Sequence, residues 1–250
     1  MTKEEHKQHD KETEKSIKEI VEKHGWYIAL FQSTAYLPSF AYTIGLWETF
    51  GHPEIISLGL KTETLGAILN IAGDKVKSGD IIQTSHDYDD FFKKGRTQFI
   101  SVHGENLKDY FGYGLWYNDH ETFPALQLVW TDRSDRFPWD ADFEEEFVYK
   151  QPLLDRNVDF KFREAKNLAT FTTRQWLELR KPILRVVHDI DGDWQFLTGD
   201  QMPEDIKIVA LEQLILRDRT LNEVFSLDYG EAAERKSIGA QWTRSKIEEE

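Results

Sequence analysis

The stretch FAYTIGLWETFGHPEIISLGL, residues 40–60, decides the fold of this chain. It contains two runs of β-branched and aromatic residues on either side of a GHPE turn at 51–54, and it therefore predicts two neighbouring strands. The second run, at 54–60, is apolar almost without interruption, which is typical of a strand buried on both faces. An amphipathic helix is predicted directly after it, at 62–80, because apolar side chains recur there at helical spacing.

The segments around this stretch complete a predicted fold. Residues 1–24 predict a charged helix, and WYIALFQ at 26–32 predicts a strand that precedes the quoted block. QFISVHG at 98–104 and ALQLVWTD at 125–132 predict further strands. Strands and helices do not alternate regularly, so a doubly wound sheet is not expected. We predict an α+β fold with a mixed or mostly antiparallel sheet and helices packed on one side.

The composition changes near residue 150, and this change predicts a smaller second part. PILRVVHDIDGDWQFLTGD at 182–200 predicts a β-hairpin that turns at Asp191-Gly192. A strand beginning at Ile206 and a helix with Leu211, Leu214 and Ile215 are predicted after it. The predicted organisation is an N-terminal helix at 1–24, a domain at 25–150, a connector at 151–181 and a small α+β module at 182–250.

Composition limits the classes of function. The 250 residues include no cysteine, which excludes disulfides, thiolate metal sites and cysteine nucleophiles. The formal net charge of −14 repels phosphate backbones, so we expect no nucleic-acid partner. The charge favours a basic protein partner, and the alternative is that it only keeps the protein in solution. The first residues are charged, and no window reaches the ~20 apolar residues that span a bilayer, so we expect a cytoplasmic protein that does not interact with a membrane. The sequence does not indicate the oligomeric state.

Several blocks resemble a bacterial protein family. Gly25-Trp26, the block at 40–60 and ILN at 68–70 with Gly79 are similar to the domain of unknown function 4262, and LQLVWTDRSDRFPWD at 126–140 resembles its closing motif. This resemblance covers roughly residues 17–140 and implies no established reaction. RVVHDIDGDWQFLTGD at 185–200 resembles small modules found among polymorphic-toxin immunity proteins, which implies a role in defence.

His52 and Glu54 are the best catalytic candidates. A carboxylate beside a histidine can orient it as a general base. The alternative is a structural turn, in which Pro53 fixes the chain and Glu54 faces water.

Tyr42, Thr43 and Gly45 are candidate ligand-binding residues. Two hydroxyls lie beside a glycine that allows a ligand to approach the backbone closely. The alternative is a buried strand in which Tyr42 and Ile44 share one face and Gly45 forms a bulge.

No metal site is expected. Asp189, Asp191 and Asp193 alternate as in a calcium loop, but Gly192 is fourth in the run where such a loop requires a glycine at the sixth position, and Asp200 is only an aspartate where it requires a bidentate acid. A hairpin turn explains the pattern, and the chain contains no HExxH spacing for zinc.

Trp116, Trp130, Asp132 and Trp139 are the candidate partner-binding residues. The three tryptophans belong to an aromatic set that is denser than a core of this size needs. We expect two or three members of the set to be exposed: Tyr110, Phe111, Tyr113, Trp116, Tyr117, Trp130, Phe137 and Trp139.

Two functions are favoured at this point, a toxin-like effector that acts inside the cell is a third possibility, and the sequence does not decide whether the chain is an enzyme. The first is a non-enzymatic binding protein without a cofactor, an immunity or defence-related factor that recognises a protein through an acidic and aromatic surface. The second is a small-molecule enzyme or binder that uses a flavin or a nucleotide, with a pocket near Tyr42, Thr43, His52 and Glu54.

Overall fold

The computed structural model describes residues 3–33, 38–148, 150–156, 159–162, 164 and 166–247, leaving aside the side chains of 3–11, 145 and 148. The chain forms two compact units, Met1–Val158 and Asp159–Glu250. Each unit contains helices and a mixed sheet, and the predicted α+β class is confirmed. The division differs from the predicted boundaries, because residues 151–154 are bonded to the first unit.

The first unit contains these elements in chain order: α1 Lys3–His24, β1 Tyr27–Phe31, β2 Phe40–Ile44, α2 Leu46–Phe50, β3 Glu54–Leu58, α3 Thr62–Lys77, β4 Thr97–Ser101, a 3₁₀ turn Gly104–Asn106, α4 Leu107–Tyr110, α5 Gly112–Tyr117, β5 Ala125–Trp130 and α6 Glu145–Val148. Their strands form one sheet in the order β1-β2-β3-β5-β4. All neighbours are antiparallel except β3 and β5, which run parallel with Glu54 opposite Ala125.

This sheet is covered on both faces, which corrects the expectation of helices on one side. Every residue of β2, β3 and β5 is buried, so both faces of these strands require an apolar cover. On one face lies α3, whose Leu65, Leu69 and Ala72 pack with Ile55 of β3. On the other face α1, α4 and α5 contribute side chains to a core around Tyr42. Each fully buried Leu or Ile stabilises this arrangement by about 1.5–3 kcal/mol.

The second unit contains β6 Ala169–Thr173, α7 Arg174–Leu179, β7 Arg185–His188, β8 Trp194–Leu197, a 3₁₀ turn Pro203–Asp205, β9 Ile206–Ala210, α8 Leu211–Arg217, a 3₁₀ segment Arg219–Val224, β10 Glu231–Glu234 and β11 Thr243–Lys246. Its sheet has the order β11-β10-β7-β8-β6-β9. The predicted hairpin is the β7–β8 pair, and the predicted change from strand to helix occurs at Leu211.

The segment 151–181, predicted as a connector, contributes to both units in its described part. Gln151 bonds to the backbone of Trp130 through both its amide atoms, at 3.2 and 2.7 Å. Leu154 donates its N–H to Gln127 Oε1 over 2.8 Å. Farther on, β6 and α7 belong to the second unit. Among the described helices, none combines the length and the apolar character that a bilayer crossing needs.

Candidate functional site

The Glu54 carboxylate is fully buried at the start of β3 and accepts three hydrogen bonds. Thr43 Oγ1 lies 2.6 Å from Glu54 Oε2. The backbone N–H groups of Gly45 and Trp47 donate to Glu54 Oε1 over 2.8 and 3.1 Å. The predicted alternative in which Glu54 faces water is wrong, because the first N–H groups of α2 need an acceptor and this carboxylate supplies it.

Burial raises the pKa of Glu54 to about 7, and hydrogen bonds from Thr43 and from backbone N–H groups limit the rise. If the carboxyl is protonated, Oε2–H can donate to Thr43 Oγ1 while Oε1 keeps both of its backbone donors. The carboxyl can therefore hold the start of α2 in either protonation state. A side chain with 0% exposure has no contact with solvent through which it could reach a ligand.

Gly45 does not form a bulge, contrary to the alternative predicted for it. It precedes α2 with a φ of 104°, a value that favours glycine. A Cβ added at Gly45 would lie 2.6 Å from Val21 Cγ1 of α1. The glycine therefore allows the chain to turn from β2 into α2 directly against α1.

Tyr42 and His52 also bond to the backbone. The Tyr42 side chain is fully buried, on the same face as Ile44 as predicted, and its hydroxyl accepts the N–H of Tyr113 over 3.1 Å. Burial raises the pKa of Tyr42. His52 is half-buried with Nδ1 2.7 Å from the oxygen of Pro53, and burial lowers the pKa of His52. Within the part of the chain that the structure describes, no hydrogen bond joins His52 to Glu54, so the proposed base and carboxylate are not paired.

The two short helices that these groups anchor carry an accessible surface. On α2, Trp47 is 41% exposed, and the neighbouring Glu48 accepts a hydrogen bond from the Tyr117 hydroxyl at the end of α5. Burial is the main cause that raises the pKa of Tyr117, and the hydrogen bond to Glu48 raises it further. Asp119 and Glu121 are exposed in the loop that follows. We name this surface the acidic–aromatic face, formed by Trp47, Glu48, Trp116, Tyr117, Asp119 and Glu121.

Trp116 is half-buried in this face. The centre of the Trp116 ring lies 6.4 Å from the centre of the Tyr117 ring. Lys18 Nζ of α1 lies 5.2 Å from the centre of the Trp116 ring. The expectation that two or three of the eight aromatic side chains are exposed is wrong. Four are buried and four half-buried, because they cover the sheet and the loops beside it.

Trp130 and Trp139, the other candidate tryptophans, lie outside this face. Trp130 is buried, and its indole N–H donates to the oxygen of Leu58 over 2.7 Å. Trp139 is half-buried and stacks on Phe137 with 4.9 Å between ring centres. Trp130 therefore joins β5 to the end of β3, and Trp139 packs within the segment that follows β5.

Asp132 is a second buried carboxylate, placed just after β5. Its Oδ1 accepts the N–H groups of Ser134 and Arg136 over 2.8 and 2.9 Å. Its Oδ2 accepts Arg136 Nε and the N–H of Glu144 over 2.9 and 3.2 Å. Burial alone would raise the pKa of Asp132, but these donors outweigh it and lower the pKa.

The aspartates of the β7–β8 hairpin form a turn, as predicted. Asp189 Oδ1 accepts the N–H groups of Asp191 and Asp193, each over 3.0 Å. Gly192 donates its N–H to the oxygen of Asp189 over 3.1 Å. In the described residues, no three His, Asp or Glu side chains converge on a point where they could hold a metal ion.

Sequence reasoning missed Trp47. It lies within the quoted block, but α2 has only five residues, which is too short for helical periodicity to show. The available signal was the glycines on either side of LWETF, which indicate a short helix between two turns.

A family model described as "Domain of unknown function (DUF4262)" matches residues 20–144, which is half of the 250-residue chain. The chain belongs to the DUF4262 family. No curated protein and no solved structure matches the chain. The DUF4262 match includes Glu54 with its bonding partners and the whole acidic–aromatic face. The second unit lies outside it, and the resemblance of residues 185–200 to immunity modules stays a prediction.

Proposed function

We propose that the DUF4262 domain of this chain is a non-enzymatic binding module that recognises a basic protein partner through the acidic–aromatic face. The biological role that we propose is immunity or defence in a bacterial cytoplasm, with a basic toxin as the partner.

The observation that carries the proposal is the anchoring of α2 and α5. Glu54 holds the start of α2 through the N–H groups of Gly45 and Trp47. The Tyr42 hydroxyl holds α5 through the N–H of Tyr113. Both anchors start from strands of the buried sheet, so the exposed side chains are positioned before a partner arrives. Such preorganisation reduces the entropy lost on binding.

The chemistry of the face favours a basic partner. Trp47 offers a large exposed ring, and tryptophan is enriched among the residues that dominate binding energy at interfaces. Glu48 is bonded to the Tyr117 hydroxyl, and the exposed Asp119 and Glu121 follow Tyr117 in the chain. The net charge of −14 adds long-range attraction for a positively charged protein.

Binding is favoured over catalysis because the candidate reactive groups already have backbone partners. Thr43, Tyr42 and Glu54 are fully buried and hydrogen-bonded within the fold. A flavin or nucleotide pocket at these residues would require their displacement from the core. The alternative function at this position is therefore less well supported.

The test is a pull-down with the full chain from a lysate of the source bacterium at low salt, followed by titration of the purified partner. We expect a basic protein whose affinity falls by at least about tenfold in Trp47→Ala, because interface tryptophans often contribute 2 kcal/mol or more. Affinity should also fall as ionic strength rises.

Leu216→Ala is the matched control, since Leu216 is 75% exposed in the second unit. Its affinity for the partner should equal that of the unchanged chain. Recovery of no specific protein at low salt, or equal affinities for Trp47→Ala and Leu216→Ala, would contradict the proposal.

A further inference from the structure

A cavity of about 360 Å³ opens where the parallel strands β3 and β5 end. Segments 59–61 after β3 and 130–133 at the end of β5 form part of its wall, and Phe92, Lys94, Phe147 and Lys150 complete it. The carboxyl ends of adjacent parallel strands are a recurrent place for ligands in sheets that have helices on both faces. The volume is within the range of small-molecule sites.

The cavity concentrates positive charge in an acidic chain. Four cationic side chains line it: Lys61, Lys94, Arg133 and Lys150. All four are exposed, whereas the chain as a whole has a net charge of −14. The acid in the wall, Asp132, already accepts four hydrogen bonds, two of them from Arg136. We name this site the cationic pocket.

Three of these cations, the lysines, have no carboxylate partner among the described residues. Arg133 pairs with Glu144 and Glu146, and Lys150 Nζ lies 4.8 Å from the centre of the Phe147 ring. Among the ion pairs of the described residues, neither Lys61 nor Lys94 takes part in one. Their ammonium groups are therefore available to an anion that enters the pocket.

Three aromatic side chains form an apolar part of the remaining wall, beside Thr131 and Asp132. Phe92, Trp130 and Phe147 supply aromatic carbon, with Trp130 and Phe147 edge to face at 5.4 Å. Gly59, at a φ of 82°, lets the backbone of Lys150 come so close that an added Cβ would lie 2.2 Å from its oxygen. A glycine is thus needed where the two sides of the pocket meet.

From this arrangement we infer that the cationic pocket binds a small phosphate ester that carries a flat ring, the chemistry of a mononucleotide. Lys61 and Lys94 neutralise the phosphate, and the aromatic wall covers the ring. This site is separate from the acidic–aromatic face and does not depend on the function proposed for that face.

The test is calorimetric titration of the full chain with AMP, GMP, CMP and UMP, each compared with its nucleoside and with inorganic phosphate. We expect at least one nucleotide to bind about tenfold or more tightly than both its nucleoside and phosphate, because charge and ring act together. In the double variant Lys61→Gln/Lys94→Gln, that affinity should fall by about tenfold or more and depend less on salt.

Lys93→Gln is the matched control, an exposed lysine next to Lys94 that does not line the pocket. It should bind the nucleotide like the unchanged chain, and all variants should melt at the same temperature. The inference is overturned if no nucleotide binds better than phosphate, or if the double variant binds as tightly as Lys93→Gln. Binding of inorganic phosphate alone with the same lysine dependence would also overturn it, since the ring would then contribute nothing.

Discussion

Glu54, which begins β3, and Asp132, which follows β5, are both buried carboxylates that hold a backbone turn beside a central strand, but their electrostatics differ. Glu54 Oε2 is bonded to a hydroxyl and Oε1 to two backbone N–H groups. Both oxygens of Asp132 accept two N–H donors each, one of them from the Arg136 guanidinium. The pKa of Glu54 rises to about 7, whereas the pKa of Asp132 falls below its ordinary value.

The difference shows how the number of N–H donors changes the consequence of burying a carboxylate: the backbone N–H groups of Arg136, Ser134 and Glu144 lower the pKa of Asp132 most, and the Arg136 guanidinium adds to them. Where the donors do not outweigh burial, burial favours the protonated form, and a hydroxyl partner such as Thr43 can accept that proton in a hydrogen bond. With Arg136 and only N–H donors around it, Asp132 has to remain ionised to satisfy its neighbours. We therefore expect the two sites to respond oppositely to pH and to replacement by an amide.

The largest effect is expected for Glu54→Ala. This change leaves the N–H groups of Gly45 and Trp47 without an acceptor and opens a void at the start of β3. The free energy of unfolding should fall by about 3–5 kcal/mol, measured by urea unfolding. Glu105→Ala is the control, since Glu105 is exposed in the same unit, and it should change the value by less than about 0.5 kcal/mol. Equal losses in the two variants would contradict the anchoring role.

The free energy of unfolding should decrease as pH rises, because the pKa of Glu54 is raised in the folded chain. Its pKa in the folded chain, about 7, is above the ordinary value of 4.5, so the folded state binds the additional proton between these values. Stability from this group is fully present below pH 4.5 and decreases as pH rises through 7, by about 3 kcal/mol in total. In Glu54→Gln this decrease should disappear, which urea unfolding at pH 5 and pH 8 would detect. An identical pH slope in both chains would exclude Glu54 as its source.

A pair of amide substitutions sharpens the comparison. Glu54→Gln can place its oxygen toward Gly45 and Trp47 and its nitrogen toward Thr43 Oγ1, so stability at pH 8 should not fall. Asp132→Asn necessarily turns an NH₂ group toward two N–H donors, and it should lose about 2 kcal/mol. Thermal unfolding of both variants at pH 8 distinguishes them. A smaller loss for Asp132→Asn than for Glu54→Gln would refute the assignment of donors.

The strands of the first unit were predictable, because their side-chain pattern is strong. The apolar run after Glu54 and the helical spacing of Leu65, Leu69 and Ala72 both appear in the structure. The strands β6, β10 and β11 were not predicted. They are short and largely polar, and pairing with neighbours in the sheet determines them more than local propensity does.

The candidate residues were predicted, but their arrangement was not. The sequence indicated Tyr42, Thr43 and Glu54. Several of the hydrogen bonds to these side chains come from backbone N–H groups, and every residue type except proline has such a group, so the sequence does not reveal these bonds. The cationic pocket was missed for another reason. Its lysines and aromatic rings come from four separate segments between residues 59 and 150, and the parallel pairing of β3 with β5 that places two of them side by side is not visible in the sequence.

The smallest effect is expected where a carboxylate faces solvent. Glu48 accepts its bond from the Tyr117 hydroxyl on the surface of the unit, and water can replace either partner. Tyr117→Phe should therefore lower the free energy of unfolding by about 0.5 kcal/mol, far less than Glu54→Ala. Tyr117→Phe should also leave the Glu48 carboxylate free to bind a partner. The affinity for a basic partner should therefore change by less than about threefold, whereas Trp47→Ala should still lower it strongly. Urea unfolding and titration of the purified partner measure the two effects. A loss of stability comparable to that of Glu54→Ala would mean that the acidic–aromatic face is held from its surface, and the buried carboxylate would then lose its assigned role as the anchor of α2.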